Sequence, residues 1–384
     1  MSIFTSTEIL ARQRVLMERT GSIDCAVLFS FFNSYYTSGV PIIPWGRPTI
    51  TIVPSRGSPA MIVSALEVTR VREHSPIAEL HTYSDRDGPN EVVAVELLGK
   101  LLASRGLRRI GFDGTGTPSA MVEQLEKAHT DLELHDISPI IDEMKLTSSD
   151  EELKLIRAGT EIADVGIGTF IDEARVGTPE VVLAGRAMLA MSEYAAARFE
   201  ESEFKVNCYS QQGVRSLQPH TGASGEPLKS GQLMALVIEV YVWSYQVAVE
   251  RALIVGKPNE AQSHYYKTMI EAQDRALAAI RPGATFSEVD IASSTVFEEN
   301  GYEPPDCGCG LIRGLLTEWA GRIDGGNLRA YNDRKLAPNM VLSVEPWAIA
   351  PGVGAPRHCD VVLVTKDGYE LISKRPTEMI VVGN

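Results

Sequence analysis

The sequence lacks the features that mark several classes of protein. Its 36 lysines and arginines are outnumbered by 50 aspartates and glutamates, and the formal net charge is −14. Sequence-independent binding of nucleic acid needs a basic surface, so we expect no nucleic-acid partner. The longest apolar runs fall far short of the roughly 20 residues that span a bilayer, so we expect no membrane partner.

Cysteine is also scarce, with five residues in a chain of 384. An odd number in a long chain argues against a disulfide framework and favours reduced thiols. The first residues, MSIFTSTEILARQR, lack the basic start and apolar segment of a secretory signal. We therefore expect a cytoplasmic protein.

Two patterns of predicted elements divide the chain. Helical segments first alternate with strand-like ones such as CAVLFSF and RRIGFDG, which favours an α/β arrangement. Ser149 and Glu152 then form a capping-box signature before a long helix. Two long helices and strand-like runs such as LMALVIEVYVW follow, which is an α+β pattern. We predict domains over 1–147 and 148–384.

Two carboxylates interrupt apolar strands: Glu250 in VAVERALIVG and Glu345 in LSVEPWAI. An ionised carboxylate in such a strand must face solvent, an arginine or a functional cavity. Taken alone, each is more often a half-exposed strand residue or part of an ion pair. Glu239 is a third, weaker candidate. The sequence by itself leaves these alternatives open.

A histidine and two cysteine-containing pairs are further candidates. His220 lies in a loop, SLQPHTGASGEP, before a long strand, and loops at strand ends commonly carry functional groups. A surface histidine is the alternative. Cys307-x-Cys309 and His358-Cys359 lack the ligand spacing and the second cluster of a zinc site, so we expect no zinc.

Several segments, in their order, resemble the creatinase and aminopeptidase P family, and within it the creatinase-like hydrolases that use no metal. They are NSYYTSG, WGRPTITIV, PHTGASGEPLKSGQ, AVERALIVG, EWAGRIDGGNLR and MVLSVEPWAIA. The resemblance implies an α+β protein, with a C-terminal pita-bread domain after a smaller α/β domain of the creatinase N-terminal type.

Peptidases of this family bind two metal ions with five side chains. In this sequence four of those positions fall on residues other than the family's ligands, namely Val237, Ala248, Leu311 and Cys359, and Glu345 is retained. Hydrocarbon side chains donate no electron pairs. The resemblance therefore implies no metal ligands and no cofactor.

The resemblance also assigns roles to residues. His220 matches a histidine that shuttles a proton, and Glu250 and Glu345 match two carboxylates that bind a guanidinium group. Arg329 and Arg47 match arginines that hold a substrate carboxylate, with Arg47 reaching the site of the partner in a homodimer. Charge-assisted hydrogen bonds make such a clamp coherent for a small zwitterion.

Some pocket residues depart from the family pattern. The further pocket positions fall on Glu318, on Cys359 beside His358, on Gln246 and, at the entrance, on Trp45. These changes imply that the substrate is not creatine. We expect a metal-independent hydrolase of a C–N bond, other than a peptide bond, in a small guanidine or amidine that carries a carboxylate. A non-catalytic peptide- or protein-binding module and a metal-free lyase are the alternatives.

Overall fold

The computed structural model describes residues 3–200, 202–304, 306–315, 326–374, 376 and 378–383. The chain forms two compact units, Met1–Lys145 and Leu146–Asn384. Across these described ranges, no helix combines the length and the apolar character that a bilayer crossing requires.

The first unit is a mixed six-stranded sheet with helices. Its strands lie in the order β4-β3-β2-β1-β5-β6, with β1, β5 and β6 parallel and β2 antiparallel to β1. Ile52, Ile62 and Ile110 on the strands pack with Leu98 and Leu102 in one apolar core. The elements are α1 Ser6–Thr20, β1 Cys25–Leu28, α2 Phe31–Ser38, β2 Ile50–Pro54, β3 Ala60–Ser64, α3 Val68–His74, β4 Glu79–Tyr83, α4 Asn90–Ser104, β5 Arg109–Phe112, α5 Ser119–Ala128, β6 Glu133–Asp136 and α6 Ser138–Lys145.

The second unit contains two largely antiparallel sheets and four long helices. The elements are α7 Asp150–Glu173, α8 Glu180–Arg198, β7 Phe204–Gln212, β8 Gln232–Val242, β9 Tyr245–Val255, α9 Glu260–Ala279, α10 Phe286–Glu299, β10 Gly310–Ile312, β11 Gly314–Leu315, β12 Asn327–Leu328, β13 Val341–Val344, β14 Asp360–Val364, β15 Tyr369–Leu371 and β16 Ile380–Val382. An α/β unit followed by this α+β unit confirms the predicted fold class.

The two sheets of the second unit meet at Glu250. One sheet has the order β11-β9-β8-β7, with β16 also paired to β9, and the other has the order β12-β10-β13-β14-β15. Glu250 N donates to Cys359 O at 3.2 Å, and Cys359 N donates to Glu250 O at 3.0 Å. This bridge joins β9 to the segment that leads into β14, so the carboxylate lies where two sheets converge.

Helix α7 covers one face of the first of these sheets. Its start has the predicted capping box: Ser149 N donates to Glu152 at 2.7 Å and Glu152 N donates to Ser149 at 3.2 Å. Gly166 lets the helix approach closely, because a Cβ there would lie 2.6 Å from both Ile238 and Met191. The opposite face of the sheet packs in part against α9 in an apolar cluster.

A buried ion pair lies on the helix-covered side of β9. Arg251 is fully buried, and its Nη2 lies 2.9 Å from Oδ1 of Asp360. Gln273 and Ser373 donate to the same carboxylate at 3.0 and 2.7 Å. Since neighbouring strand residues point to opposite faces, Arg251 and Glu250 have separate partners. The pair holds β9 against β14.

Candidate functional site

Strand register brings a set of polar side chains onto one face of the first sheet. Glu250 lies opposite Val237, and Glu239 lies opposite both Ala248 and Asn207 in the register of β7, β8 and β9. Opposed residues in an antiparallel pair share a face, as do residues two apart on one strand. Both glutamates therefore belong to this polar face.

Glu250 forms an ion pair with Arg357, and both side chains are buried. Nε of Arg357 donates to Oε2 of Glu250, and Nη2 of Arg357 lies 3.4 Å from Pro219 O. Arg357 is 6% exposed and Glu250 is 5% exposed. No described residue accepts a hydrogen bond from the buried Nη1 of Arg357. One strong donor is therefore left without an acceptor among the described residues.

A second arginine lies where the chain passes from the second sheet to the first. Arg313 separates β10, which pairs with β13, from β11, which pairs with β9. Its Nε donates to Ser343, and its Nη1 donates to Gln246 Oε1 at 3.2 Å. Its Nη2 lies 3.5 Å from Oε2 of Glu345. Arg313 thus links both sheets.

Hydrogen bonds extend this network to the third glutamate. Gln246 Nε2 donates to Glu239 Oε1 at 3.2 Å and to Tyr241 Oη at 2.7 Å. Asn207 Nδ2 donates to Glu239 Oε2 at 3.0 Å. Glu239 and Glu345 are half-buried, so the cluster reaches the surface on their side.

Two loops position Arg357 and the His220 segment. Tyr265 Oη donates to Pro356 O at 2.6 Å, and Ala355 N donates to Ser216 Oγ at 2.8 Å. Glu180, fully buried at the start of α8, accepts from Gln212 N, Arg215 Nη1 and Ser224 at 2.7–3.1 Å. These bonds fix both ends of the loop that carries His220.

Burial changes the proton affinity of Glu250. Desolvation raises the pKa of its carboxyl from 4.5 to about 7. Arg357 opposes that rise, and the nearby charge of Glu345 adds to it. A carboxyl with a pKa near 7 can take up and release a proton at neutral pH.

The Glu250→Gln substitution is expected to flatten the pH dependence of stability. Because the pKa of Glu250 is raised to about 7, the unfolded chain releases this proton at lower pH than the folded chain does. The folded state is therefore disfavoured progressively as the pH rises from 4.5 towards about 7. Urea unfolding at several pH values should show a steeper loss of free energy in wild type than in E250Q. Equal slopes would contradict the raised pKa.

The structure places the predicted clamp residues in different surroundings. Glu250 and Glu345 both belong to the cluster described above, each beside its own arginine. His220 is exposed and directly follows Pro219, the carbonyl partner of Arg357. Arg329 instead lines a neighbouring cavity of about 280 Å³, together with Asp290 and Trp347.

The remaining predicted residues lie elsewhere or outside the description. Arg47 belongs to the first unit and pairs with Asp85, with its Nε 2.9 Å from Oδ1, and Trp45 is 79% exposed. Glu318 lies outside the described residues.

The alternation of side chains also decides whether His358 or Cys359 faces the cluster of glutamates and arginines. Cys359 Sγ donates to Ala248 O at 3.4 Å. The charges of Glu345 and Glu250 both raise the pKa of its thiol, so the thiol lies near the two carboxylates. His358 is fully buried. Because side chains alternate along an extended segment, the imidazole of His358 points away from the side that Cys359 and Arg357 share.

Sequence reasoning missed Arg313 and Arg357. Both are fixed cations in apolar segments, GLIRGLL and GAPRHCD. The argument that singled out Glu250 applies equally to them, since a charge in an apolar run must find a partner. That signal was available, but the identity of the partners depends on the fold.

The described residues do not fit a dinuclear metal centre. They contain no group of three or more His, Cys, Asp or Glu side chains that could hold a metal ion. Val237 and Ala248 lie on the same face as Glu250, and Glu250 and Glu345 are already paired with guanidinium groups. Burial, then Glu345 and Glu250, raise the pKa of the Cys359 thiol.

Known proteins resemble this chain along nearly its whole length. An Xaa-Pro dipeptidase of Pyrococcus horikoshii is 28% identical over 365 residues, which cover 94% of this chain and 95% of the relative. A creatinase of a Bacillus species is 26% identical over 373 residues, or 95% and 89% of the two chains. The crystal structure of the prolidase from Pyrococcus horikoshii superimposes with a TM-score of 0.82 at 25% identity, covering 96% and 99%.

These relatives correct the predicted function. The expected metal-independent hydrolase of a guanidine or amidine, acting on a bond other than a peptide bond, is wrong. The Xaa-Pro dipeptidases that match nearly the full length are named for the cleavage of peptides. The prediction assigned to Glu250 and Glu345 the role of the two creatinase carboxylates that bind a guanidinium group of the substrate. Both carboxylates are instead paired with arginines of the same chain.

Two family models cover most of the sequence. The Creatinase/Prolidase N-terminal domain matches residues 10–146. Metallopeptidase family M24 matches residues 154–366, which is more than half of the chain. The chain therefore belongs to metallopeptidase family M24, the family of creatinase and aminopeptidase P.

Proposed function

We propose that this chain hydrolyses the peptide bond of short peptides, with Xaa-Pro dipeptides as the first candidates. The observation that carries the proposal is the match over nearly the whole chain to Xaa-Pro dipeptidases. Because the described residues do not fit the family's metal centre, the proposed chemistry uses groups of this chain alone.

Arg357 supplies a donor for a peptide oxygen. Its Nη1 is buried and has no acceptor among the described residues. A buried donor without a partner is costly, and a ligand oxygen would remove that cost. A guanidinium group stabilises the negative charge that develops on a carbonyl oxygen when water attacks the carbon.

Glu250 is placed to move the proton. Burial raises its pKa to about 7, so at neutral pH a substantial fraction is ionised and able to act as a base. It would accept a proton as the water oxygen bonds to the carbonyl carbon. The same proton would pass to the nitrogen as the C–N bond breaks, which restores the carboxylate.

The residues at the margins of the cluster keep proposed binding roles. His220 lies in the loop that Arg357 contacts through Pro219, and Arg329 lines the adjoining cavity. A homodimer in which Arg47 reaches a partner's site stays a prediction. A cytoplasmic location also stays a prediction, and it rests on five cysteines that are all free.

Incubation with dipeptides tests the proposed reaction. We expect Xaa-Pro dipeptides to raise the Tm and to be cleaved, as followed by mass spectrometry in parallel incubations with chelator and with added Mn²⁺. Glu250→Gln should lower kcat by about 10² to 10⁴ and preserve the Tm shift. Glu226→Gln, at an exposed ion pair with Lys229, is the matched control and should leave kcat unchanged.

Three results would count against parts of this proposal. A Tm shift without cleavage would keep peptide binding and reject hydrolysis. Cleavage that E250Q leaves unaltered would reject the role of Glu250. Neither a Tm shift nor cleavage with any dipeptide would reject the substrate class.

A further inference from the structure

Three glutamates converge on one part of the second unit. Glu239 and Glu250 share a face of the first sheet, and Glu345 follows β13 in the second sheet. Their mutual repulsion in a poorly hydrated region is unfavourable unless positive charge lies among them. A fixed cation among the three carboxylates would balance their charge.

Arg313 has the geometry of that cation. Its guanidinium contacts Glu345 directly at 3.5 Å and reaches Glu239 through Gln246, by bonds of 3.2 and 3.2 Å. Burial lowers the pKa of Arg313, but Glu345, Cys359, Glu239 and Glu250 raise it further, so its pKa is raised on balance. All three carboxylates thus act on one group, which is 8% exposed.

The backbone fixes this guanidinium. Arg313 N donates to Val341 O at 2.7 Å, and the residues on either side pair with different sheets. Its Nε donates to Ser343. The two sheets therefore fix the backbone of Arg313. Its guanidinium does not have to reach the site from the surface on a flexible side chain.

We infer that Arg313 is the resident cation of this site and neutralises the glutamates that converge on it, so that the native site takes up no divalent metal ion. The ion pair of Arg357 with Glu250 supplies the second fixed positive charge. This assignment concerns how the site balances its charge, and it does not depend on the proposed hydrolysis.

Chemical rescue tests the assignment. Arg313→Ala removes the guanidinium and leaves space among the carboxylates. We expect a lowered Tm that methylguanidinium restores with a saturable concentration dependence, while tetramethylammonium at equal ionic strength restores nothing. Arg281→Ala, at an exposed pair with Glu288, is the matched control and should show no saturable response, as should wild type.

A metal titration of the wild-type protein provides the second measurement. Calorimetry after chelator dialysis should show no stoichiometric binding of Mn²⁺, Co²⁺ or Zn²⁺. If R313A does not fold when expressed, the yield of folded protein on refolding with and without methylguanidinium replaces the Tm. Stoichiometric metal binding by wild type, or absence of rescue in both the Tm and the refolding yield, would overturn the inference. Peptide turnover enters neither measurement.

Discussion

Replacing Asp360 with Asn is expected to lower the free energy of unfolding by about 3–5 kcal/mol. The substitution leaves the guanidinium of Arg251 buried without its counter-charge. Arg251 and Asp360 are both fully buried and lie 2.9 Å apart. Urea unfolding at neutral pH measures the change. A loss below about 1 kcal/mol, the range of an exposed pair, would show that the pair contributes little.

An exposed pair in the same unit is the matched control. Arg157 and Glu370 make two bonds of 2.7 Å across the surface, and Glu370→Gln should cost about 0–1 kcal/mol. The double variant Arg251→Met with Asp360→Leu removes both charges. It should lose less stability than the two single changes added together, because neither charge is left alone.

Replacing Gly354 with Ala is expected to cost about 2–5 kcal/mol, through steric overlap and backbone strain. A Cβ at this position would lie 2.3 Å from Ser216 Oγ and 2.4 Å from Gly213 O, and φ is +117°. The affected segment leads directly to Arg357. We therefore expect peptide affinity to fall together with the Tm.

Gly352 separates strain from overlap. Its φ is +74°, but a Cβ there would meet nothing within 4 Å. Gly352→Ala should cost only about 1–2 kcal/mol, the penalty of the left-handed conformation, and should leave peptide affinity unchanged. Equal losses in the two variants would show that the approach of Gly354 to Ser216 is unimportant.

Local patterns predicted many elements of the second unit. All but the last residue of the run LMALVIEVYVW lie within β8, and QVAVERALIV lies within β9. The capping box at Ser149 starts α7. These signals are local, because a cap involves neighbours three residues apart and an apolar run requires burial wherever the strand lies.

The candidate site was harder to predict because its contacts join distant segments. Arg357 and Glu250 are 107 residues apart, and Arg313 and Gln246 are 67 apart. A sequence shows that each charge needs a partner but not which partner it has. The resemblance to creatinase supplied a ligand cation for Glu250, whereas the fold supplies Arg357.

The sequence by itself determined that this chain has an α/β part followed by an α+β part, and that it resembles the creatinase and aminopeptidase P family. The local spacing of apolar residues predicts the type of each element, and the order of the segments indicates the family. The tertiary structure alone decided how the buried charges pair. Strand register and the convergence of two sheets place Arg313 and Arg357 beside the glutamates, and a buried charge is stabilised by whatever group the fold brings next to it.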